Sequence, residues 1–185
     1  QELERGDSGI CSLASVQSSF VMYPIYVFGS DEQKRRWLPR LAKGEAVGCF
    51  ALTEAGVGSD AANMKTEAVK DGDSYVLTGS KAWISYGSPA DVAVVWAKVR
   101  EIGQAGLIRG FLVERGTPGF QARDIKNTFS FRTSIVSELV FDNCRVPANS
   151  LLPGSSGVKS PLMCISEGRY SVAWAAIGAA EAAIT

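Results

Sequence analysis

The sequence predicts an α+β chain. A helical segment leads into an antiparallel β-sandwich or flattened barrel of about seven strands, and the start of a helical bundle follows. Three observations carry that reading. The phrase Ser30-Asp31-Glu32-Gln33 is a capping box that opens a helix early in the chain. The middle is filled with short β-branched and aromatic runs divided by turn residues, with an Asp71-Gly72 pair between two strand-like flanks. An Ala-rich stretch, suited to close helix packing, ends it.

Residues 11–28 are mostly apolar and small, gather the aromatic residues Phe20, Tyr23, Tyr26 and Phe28 near their end, and show no alternation. They predict a buried helix interrupted near Pro24, whose ring removes a backbone donor. After the capping box, Asp31 and Glu32 occupy a first turn and Lys34, Arg35 and Arg36 follow, so a second helix runs past Trp37 to about Lys43, kinked or shortened by Pro39. From Ala46 the texture becomes β. Residues 69–77 form a hairpin about Gly72, and further strands are expected at 91–99, 108–113, 120–124 and 137–141, with turns at Gly79, Gly103, Gly110 and Gly119. Pro153-Gly154-Ser155-Ser156-Gly157 is a flexible connector, and residues 162–185 are helical. The expected divisions are 1–46, 47–158 and 159–185. A start on Gln1 and an end inside a helical phrase make the chain read as a piece of a longer protein.

Composition narrows the function. Lys plus Arg and Asp plus Glu are 19 each, which leaves no charge excess to suggest a nucleic-acid partner. No run of about 18 apolar residues suggests a membrane span, and the charged start is unlike a signal peptide. Cys11, Cys49, Cys144 and Cys164 are widely spaced and there is no His, so neither a metal site nor a thiol–imidazole pair is indicated. Without His, a carboxylate or a cofactor must move any protons and electrons.

The densest chemical phrase is Cys49-Phe50-Ala51-Leu52-Thr53-Glu54-Ala55-Gly56-Val57-Gly58-Ser59-Asp60, followed by Lys81-Ala82-Trp83-Ile84-Ser85. Gly56 and Gly58 would let the backbone take positive φ and approach a ligand closely. Thr53 and Ser85 offer hydroxyls, and Trp83 offers a broad apolar face with one N–H, a complement to a flat heteroaromatic ring. Taken alone, the phrase also fits a Gly-rich hairpin loop beside a core tryptophan.

In order along the chain, these phrases resemble the acyl-CoA dehydrogenases, and among them the glutaryl-CoA dehydrogenases. The likeness also includes Glu2-Leu3-Glu4-Arg5, Leu38-Pro39-Arg40-Leu41, Ile108-Arg109-Gly110-Phe111-Leu112 and Arg169-Tyr170, and covers nearly the whole chain. It implies FAD-dependent α,β-dehydrogenation of an acyl-CoA thioester, with electron-transfer flavoprotein as acceptor and a homo-oligomer, usually a tetramer. The setting would be bacterial cytoplasm or the mitochondrial matrix. By the same resemblance, Phe50, Leu52, Thr53, Gly58, Ser59, Trp83, Ile84 and Ser85 surround the flavin. Cys11, Ser12, Ser15, Ser59, Leu162, Ser166 and Arg169 line the path of the substrate. An acyl-CoA oxidase of the same fold, or a non-catalytic fragment that binds CoA esters or a partner, would read alike.

Several positions depart from the family pattern. The usual catalytic glutamate is expected beyond Thr185. The alternative position for it, just before the arginine, is Gly168, leaving Glu167 about 100° away around a helix as a weak candidate. Where glutaryl-CoA dehydrogenases carry Tyr-Arg to hold a distal carboxylate, this chain has Ile10-Cys11, which favours an uncharged short acyl chain. Ala55 and Val57 replace a usual proline and a usual small residue, and Tyr86 stands where Asn is common.

Overall fold

The computed structural model describes residues 1–100, 106–131 and 133–184. Helices lead, a single curled sheet of seven strands follows, and a long helix closes the chain. The strands are β1 (Gly48–Ala51), β2 (Glu67–Asp71), β3 (Ser74–Ser85), β4 (Val92–Arg100), β5 (Ile108–Glu114), β6 (Phe120–Asp124) and β7 (Val136–Pro147). Most pairings are antiparallel, as expected, but β4 pairs in parallel with both β1 and β2. These two short strands lie end to end along one edge of β4, β1 against 92–95 and β2 against 98–100, while β5 takes the other edge. The chain between β1 and β2 must therefore leave the sheet, and it carries the Gly-rich phrase.

β4 shows how the sheet is buried. Its alternate residues face opposite ways. Ala93, Val95, Ala97 and Val99 enter a core with Leu77, Phe111, Leu139 and Phe141, inside the curl. Val92, Val94 and Trp96 enter a second core with Val21, Ile25, Phe28, Trp37 and Leu41 of the helices. A strand covered on both faces needs an unbroken apolar run, and Val92-Ala93-Val94-Val95-Trp96-Ala97 supplies it.

The leading helices are α1 (Glu2–Gly6), α2 (Ser8–Ser15), α3 (Tyr23–Phe28) and α4 (Asp31–Ala42), with a π-helical segment, Val16–Met22, between α2 and α3. The expected helix thus begins earlier, at Ser8, where Asp7 accepts from the Ile10 N–H, and its irregularity precedes Pro24 instead of coinciding with it. Pro24 sits in the first turn of α3, directly after the π-helical segment, and the helical run continues through it. The run Ser8–Phe28 has the length and hydropathy of a membrane span, yet Gln17 locks it to β1 and Val21, Ile25 and Phe28 join the second core. The capping box of α4 is present in both directions, and Pro39 is absorbed without ending the helix.

Other corrections concern glycines and lengths. Gly79 and Gly110 lie inside β3 and β5, not in turns. At Gly79 a side chain would strike Thr66, and at Gly110 it would meet Leu152 and Trp96, so both mark close packing. Gly119, at positive φ, does turn the chain into β6, and Gly103 lies outside the described residues. The hairpin at Gly72 forms as expected, with Asp71 opposite Ser74. β7 runs six residues past its expected end, and the last helix, α5 (Lys159–Ile184), starts three residues early.

Candidate functional site

The loop that leaves the sheet after β1 is held by one buried carboxylate. Glu54 and Val57 exchange both backbone hydrogen bonds, closing a tight turn at Ala55-Gly56. The Glu54 carboxylate accepts from the Lys65 N–H (2.6 Å), the Thr66 N–H (2.9 Å), the Thr66 hydroxyl (2.6 Å) and Lys81 Nζ (3.0 Å). Lys81 also donates to the Leu52 carbonyl at 3.0 Å, and its side chain is fully enclosed. Desolvation pushes the Glu54 carboxyl up, but the hydrogen bonds from Thr66 and Lys65 and the Lys81 charge together outweigh it and leave the group below its ordinary value. For Lys81, desolvation wins over the attraction of Glu54 and lowers the ammonium to about 8. Sequence reasoning read the acid as part of the motif and missed its cation, although Lys81 opens the second phrase.

Next to this clasp, β3 bulges. Lys81 pairs with Leu139 and Ile84 with Ser137, so β3 carries one residue more than β7 between those pairs. The Ala82 N–H bonds to the Thr53 carbonyl at 2.9 Å. Trp83 then takes φ 61°, a left-handed conformation that a bulky residue rarely adopts, and stands 63% exposed. An indole held out in this way is no core tryptophan. Trp83 and Ser85 line a groove of about 590 Å³ with Ser12 and the loop from Ile125 to Phe131, well within the size range of ligand pockets.

A second, more apolar cleft of about 350 Å³ adjoins the groove through Ser12 and Phe131, which line both. Cys11, Ser12 and Ser15 of α2 and Val16 and Phe20 of the π-helical segment form one wall; Ser171, Val172, Ala175 and Ala176 of α5 form the other. The walls are tied by the Ser19 and Ser171 hydroxyls at 3.3 Å. Gln17 anchors the first wall to the sheet by a two-way amide clasp, donating to the Gly48 carbonyl (2.9 Å) and accepting from its N–H (2.8 Å). Phe20 packs against Phe50, ring centroids 5.2 Å apart, and over Gly168. Glu4 is the one charged group among the described lining residues of this cleft.

The structure thus brings Trp83, Ser85, Ser12, Cys11 and Ser15 to two adjoining depressions that share Ser12 and Phe131. Phe50 is half-buried between Phe20 and Trp96, while the side chains of Leu52 and Ile84 are buried, so these two reach a ligand only through neighbours or backbone. Thr53 is half-buried beside β3, while Gly58 and Ser59 lie exposed on the loop. Neither Gly56 nor Gly58 has positive φ, contrary to expectation; a side chain at either would meet nothing within 4 Å, so their surroundings are open. Leu162, Ser166 and Arg169 share an exposed face of α5, opposite Gly168 and Ser171, and do not line the cleft. The α5 wall was missed because Val172, Ala175 and Ala176 carry no polar signal and Ser171 is its one polar side chain. Glu167 is exposed too. Tyr86 turns inward, donating from its hydroxyl to the Gly9 carbonyl at 2.9 Å, and so ties the end of β3 to α2.

Thiol and metal chemistry find no support among the described residues. Burial pushes the Cys49 and Cys164 thiols up to about 12 and Cys144 to about 11. Desolvation and the neighbouring Glu4 raise Cys11 as well. No group of three potential metal ligands occurs among the described residues.

Two family models match the chain: the acyl-CoA dehydrogenase N-terminal domain over residues 1–45 and the acyl-CoA dehydrogenase middle domain over residues 49–144. The chain is 39% identical over 186 residues to the mitochondrial short-chain specific acyl-CoA dehydrogenase of Homo sapiens, all of it aligning with 45% of that protein. It superimposes on a glutaryl-CoA dehydrogenase from Mycobacterium smegmatis, solved in complex with FADH2, with a TM-score of 0.93 and 50% identity, over 97% of this chain and 45% of that one. A chain in a structure of the electron transferring flavoprotein of Acidaminococcus fermentans matches with a TM-score of 0.91 and 40% identity, over 98% of this chain and 48% of that one. The chain therefore spans about half the length of these relatives.

Proposed function

The chain belongs to the acyl-CoA dehydrogenase family, and from that premise we propose that the protein catalyses FAD-dependent α,β-dehydrogenation of a short, uncharged acyl-CoA thioester. The observation that carries this reading is the junction of the exposed Trp83–Ser85 groove with the apolar cleft between α2 and α5. Hydride transfer requires the β-carbon of the acyl chain to lie over the face of a flat redox ring, so the two must occupy adjoining space, and the two depressions share Ser12 and Phe131.

When bound, the flavin supplies a hydride acceptor for the hydrogen leaving the β-carbon. The chain's own residues orient and exclude. Trp83 offers its face to the ring, Ser85 its hydroxyl to the ring edge, and Thr53 and Leu52 their backbone from the clasped loop. Phe50 and Ile84 support these groups from behind, and the open surroundings of Gly58 and Ser59 leave room for the remainder of the cofactor and the CoA arm. Cys11, Ser12 and Ser15 line the acyl chain's wall, and Leu162, Ser166 and Arg169 are assigned to the outer path of the pantetheine. Glu167 is exposed and displaced from the inward-facing Gly168, so the base that takes the α-proton is assigned to a carboxylate outside residues 1–185.

The acyl preference follows from the cleft. Among its described lining residues there is no cation, and Glu4 is an anion, so a distal carboxylate would be desolvated beside a like charge. At about 350 Å³ the cleft lies near the small end of ligand pockets, which run from about 300 to 1,000 Å³. Electron-transfer flavoprotein is the proposed acceptor, supported by the likeness to the Acidaminococcus chain. A homotetramer without a membrane span, in bacterial cytoplasm or the mitochondrial matrix, is the proposed setting, and 1–46, 47–158 and 159–185 are the proposed domain divisions. Steady-state turnover of the full-length flavoprotein with butyryl-CoA and glutaryl-CoA tests the substrate reading. A kcat/KM at least about tenfold higher for butyryl-CoA is expected, since a lost charge partner is worth more than 1.4 kcal/mol. Equal values would overturn it.

A further inference from the structure

We propose that Glu54 and Lys81 are positioning residues for the flavin site: their buried ion pair fixes the backbone at Leu52-Thr53 against β3 and thereby aims Trp83 and Ser85. The proposal rests on the flavin reading given above.

The connectivity of the pair is what singles it out. Lys81 Nζ bridges the Leu52 carbonyl and Glu54 Oε1, both at 3.0 Å, so one ammonium spans the stretch centred on Thr53. One residue further along β3, the Ala82 N–H holds the Thr53 carbonyl at 2.9 Å. Trp83 comes next, at the bulge and in a left-handed conformation. At the far side of the loop, Glu54 gathers Lys65 and Thr66, and the Thr66 carbonyl in turn accepts from the Lys98 N–H of β4. Any slide of the loop along β3 lengthens several of these bonds at once.

Stability alone is a poor reason for such a pair. Two charges taken out of water lose hydration that their attraction only partly returns, and well-packed apolar residues often serve a fold equally well. What an ion pair adds is direction, since a donor with three hydrogens and an acceptor with four lone-pair sites admit one arrangement here. Burial lowers Lys81 only to about 8, so the ammonium persists at neutral pH.

The test is FAD titration of the purified full-length protein as wild type, Glu54→Gln, Lys81→Met and the double variant. Melting temperature, FAD affinity, the positions of the bound flavin's absorption bands and the quenching of tryptophan emission are read for each. Glu54→Gln keeps a side-chain oxygen for Thr66 and remains folded. Each single variant is expected to bind FAD at least about tenfold more weakly, because the loop at Leu52-Thr53 loses a tie to β3, and to melt lower, because one partner's loss leaves the other charge buried and unpaired. The double variant should regain most of the melting temperature but not the affinity or the band positions. If it regains all of them, or if Glu54→Gln keeps wild-type affinity and bands, the pair is structural only and the proposal is overturned. Failure of the wild type to bind FAD overturns instead the flavin reading on which the proposal stands.

Discussion

Gly168→Ala separates packing from helix propensity at the back of the cleft. Gly168 lies inside α5 with helical φ, so alanine alone should stabilise the helix by about 1 kcal/mol. The added Cβ, however, would lie 2.5 Å from Phe20 Cε2 and 3.0 Å from Cε1, and closer still to Cζ. Ordinary contact begins at 3.4 Å, so the ring must retreat by about 0.9 Å to clear Cε2 and by more to clear Cζ. Phe50 stands on one side of that ring and the cleft on the other, so retreat strains the stack or narrows the cleft. Overpacking of this kind costs about 1–3 kcal/mol, which leaves a net loss of about 1 kcal/mol and a melting temperature lower by about 3 °C. Thermal unfolding followed by circular dichroism measures it, with Phe20→Ala and the double variant completing a cycle. In the Phe20→Ala background, Gly168→Ala should become stabilising by about 1 kcal/mol. A rise in melting temperature for Gly168→Ala in the wild-type background, or a cycle with no coupling, refutes the packing argument.

Other outcomes follow from single observations. Gln17→Ala removes both bonds to Gly48 and should cost about 1–2 kcal/mol, read by chemical denaturation, with faster amide exchange at Gly48; unchanged exchange contradicts the clasp. At pH 7 a thiol reagent should modify no more than one cysteine of the four, Cys11, in the folded protein, since the other three are buried with raised pKa values; two or more rapid reactions contradict the packing of the two cores. Glu54 has a folded pKa below its ordinary 4.5, so its contribution to stability is complete above that pH and is lost as pH falls through the folded value. Melting temperature should therefore fall more steeply with acidification in the wild type than in Glu54→Gln, and parallel profiles contradict the assignment.

Local signals in the sequence proved sufficient where one residue's chemistry decides the structure. Ser30 and Gln33 cap α4 in both directions, and Gly72 turns the hairpin at positive φ. The parallel seating of β1 and β2 against β4 had no such signal, because a strand's partner depends on the whole sheet. Gly79 and Gly110 misled as turn markers because absence of a side chain serves close packing as well as turning. At the site, the hydroxyls and the indole were visible as types, and the resemblance gave them roles. What the sequence did not show was aim. Trp83 points outward because a bulge places it at positive φ, Tyr86 points inward to Gly9, and Lys81 turns beneath the loop to meet Glu54. The α5 wall of Ser171, Val172, Ala175 and Ala176 was silent because small side chains act there by leaving space.

The most direct test of the central claim is FAD titration of the full-length protein beside its Trp83→Leu variant, following flavin and tryptophan fluorescence. If the exposed indole faces the bound ring, the wild type binds FAD with both emissions quenched, and Trp83→Leu keeps the fold while losing most of the flavin quenching. Binding with equal quenching in the two proteins would show that the groove beside Trp83 is not the flavin site.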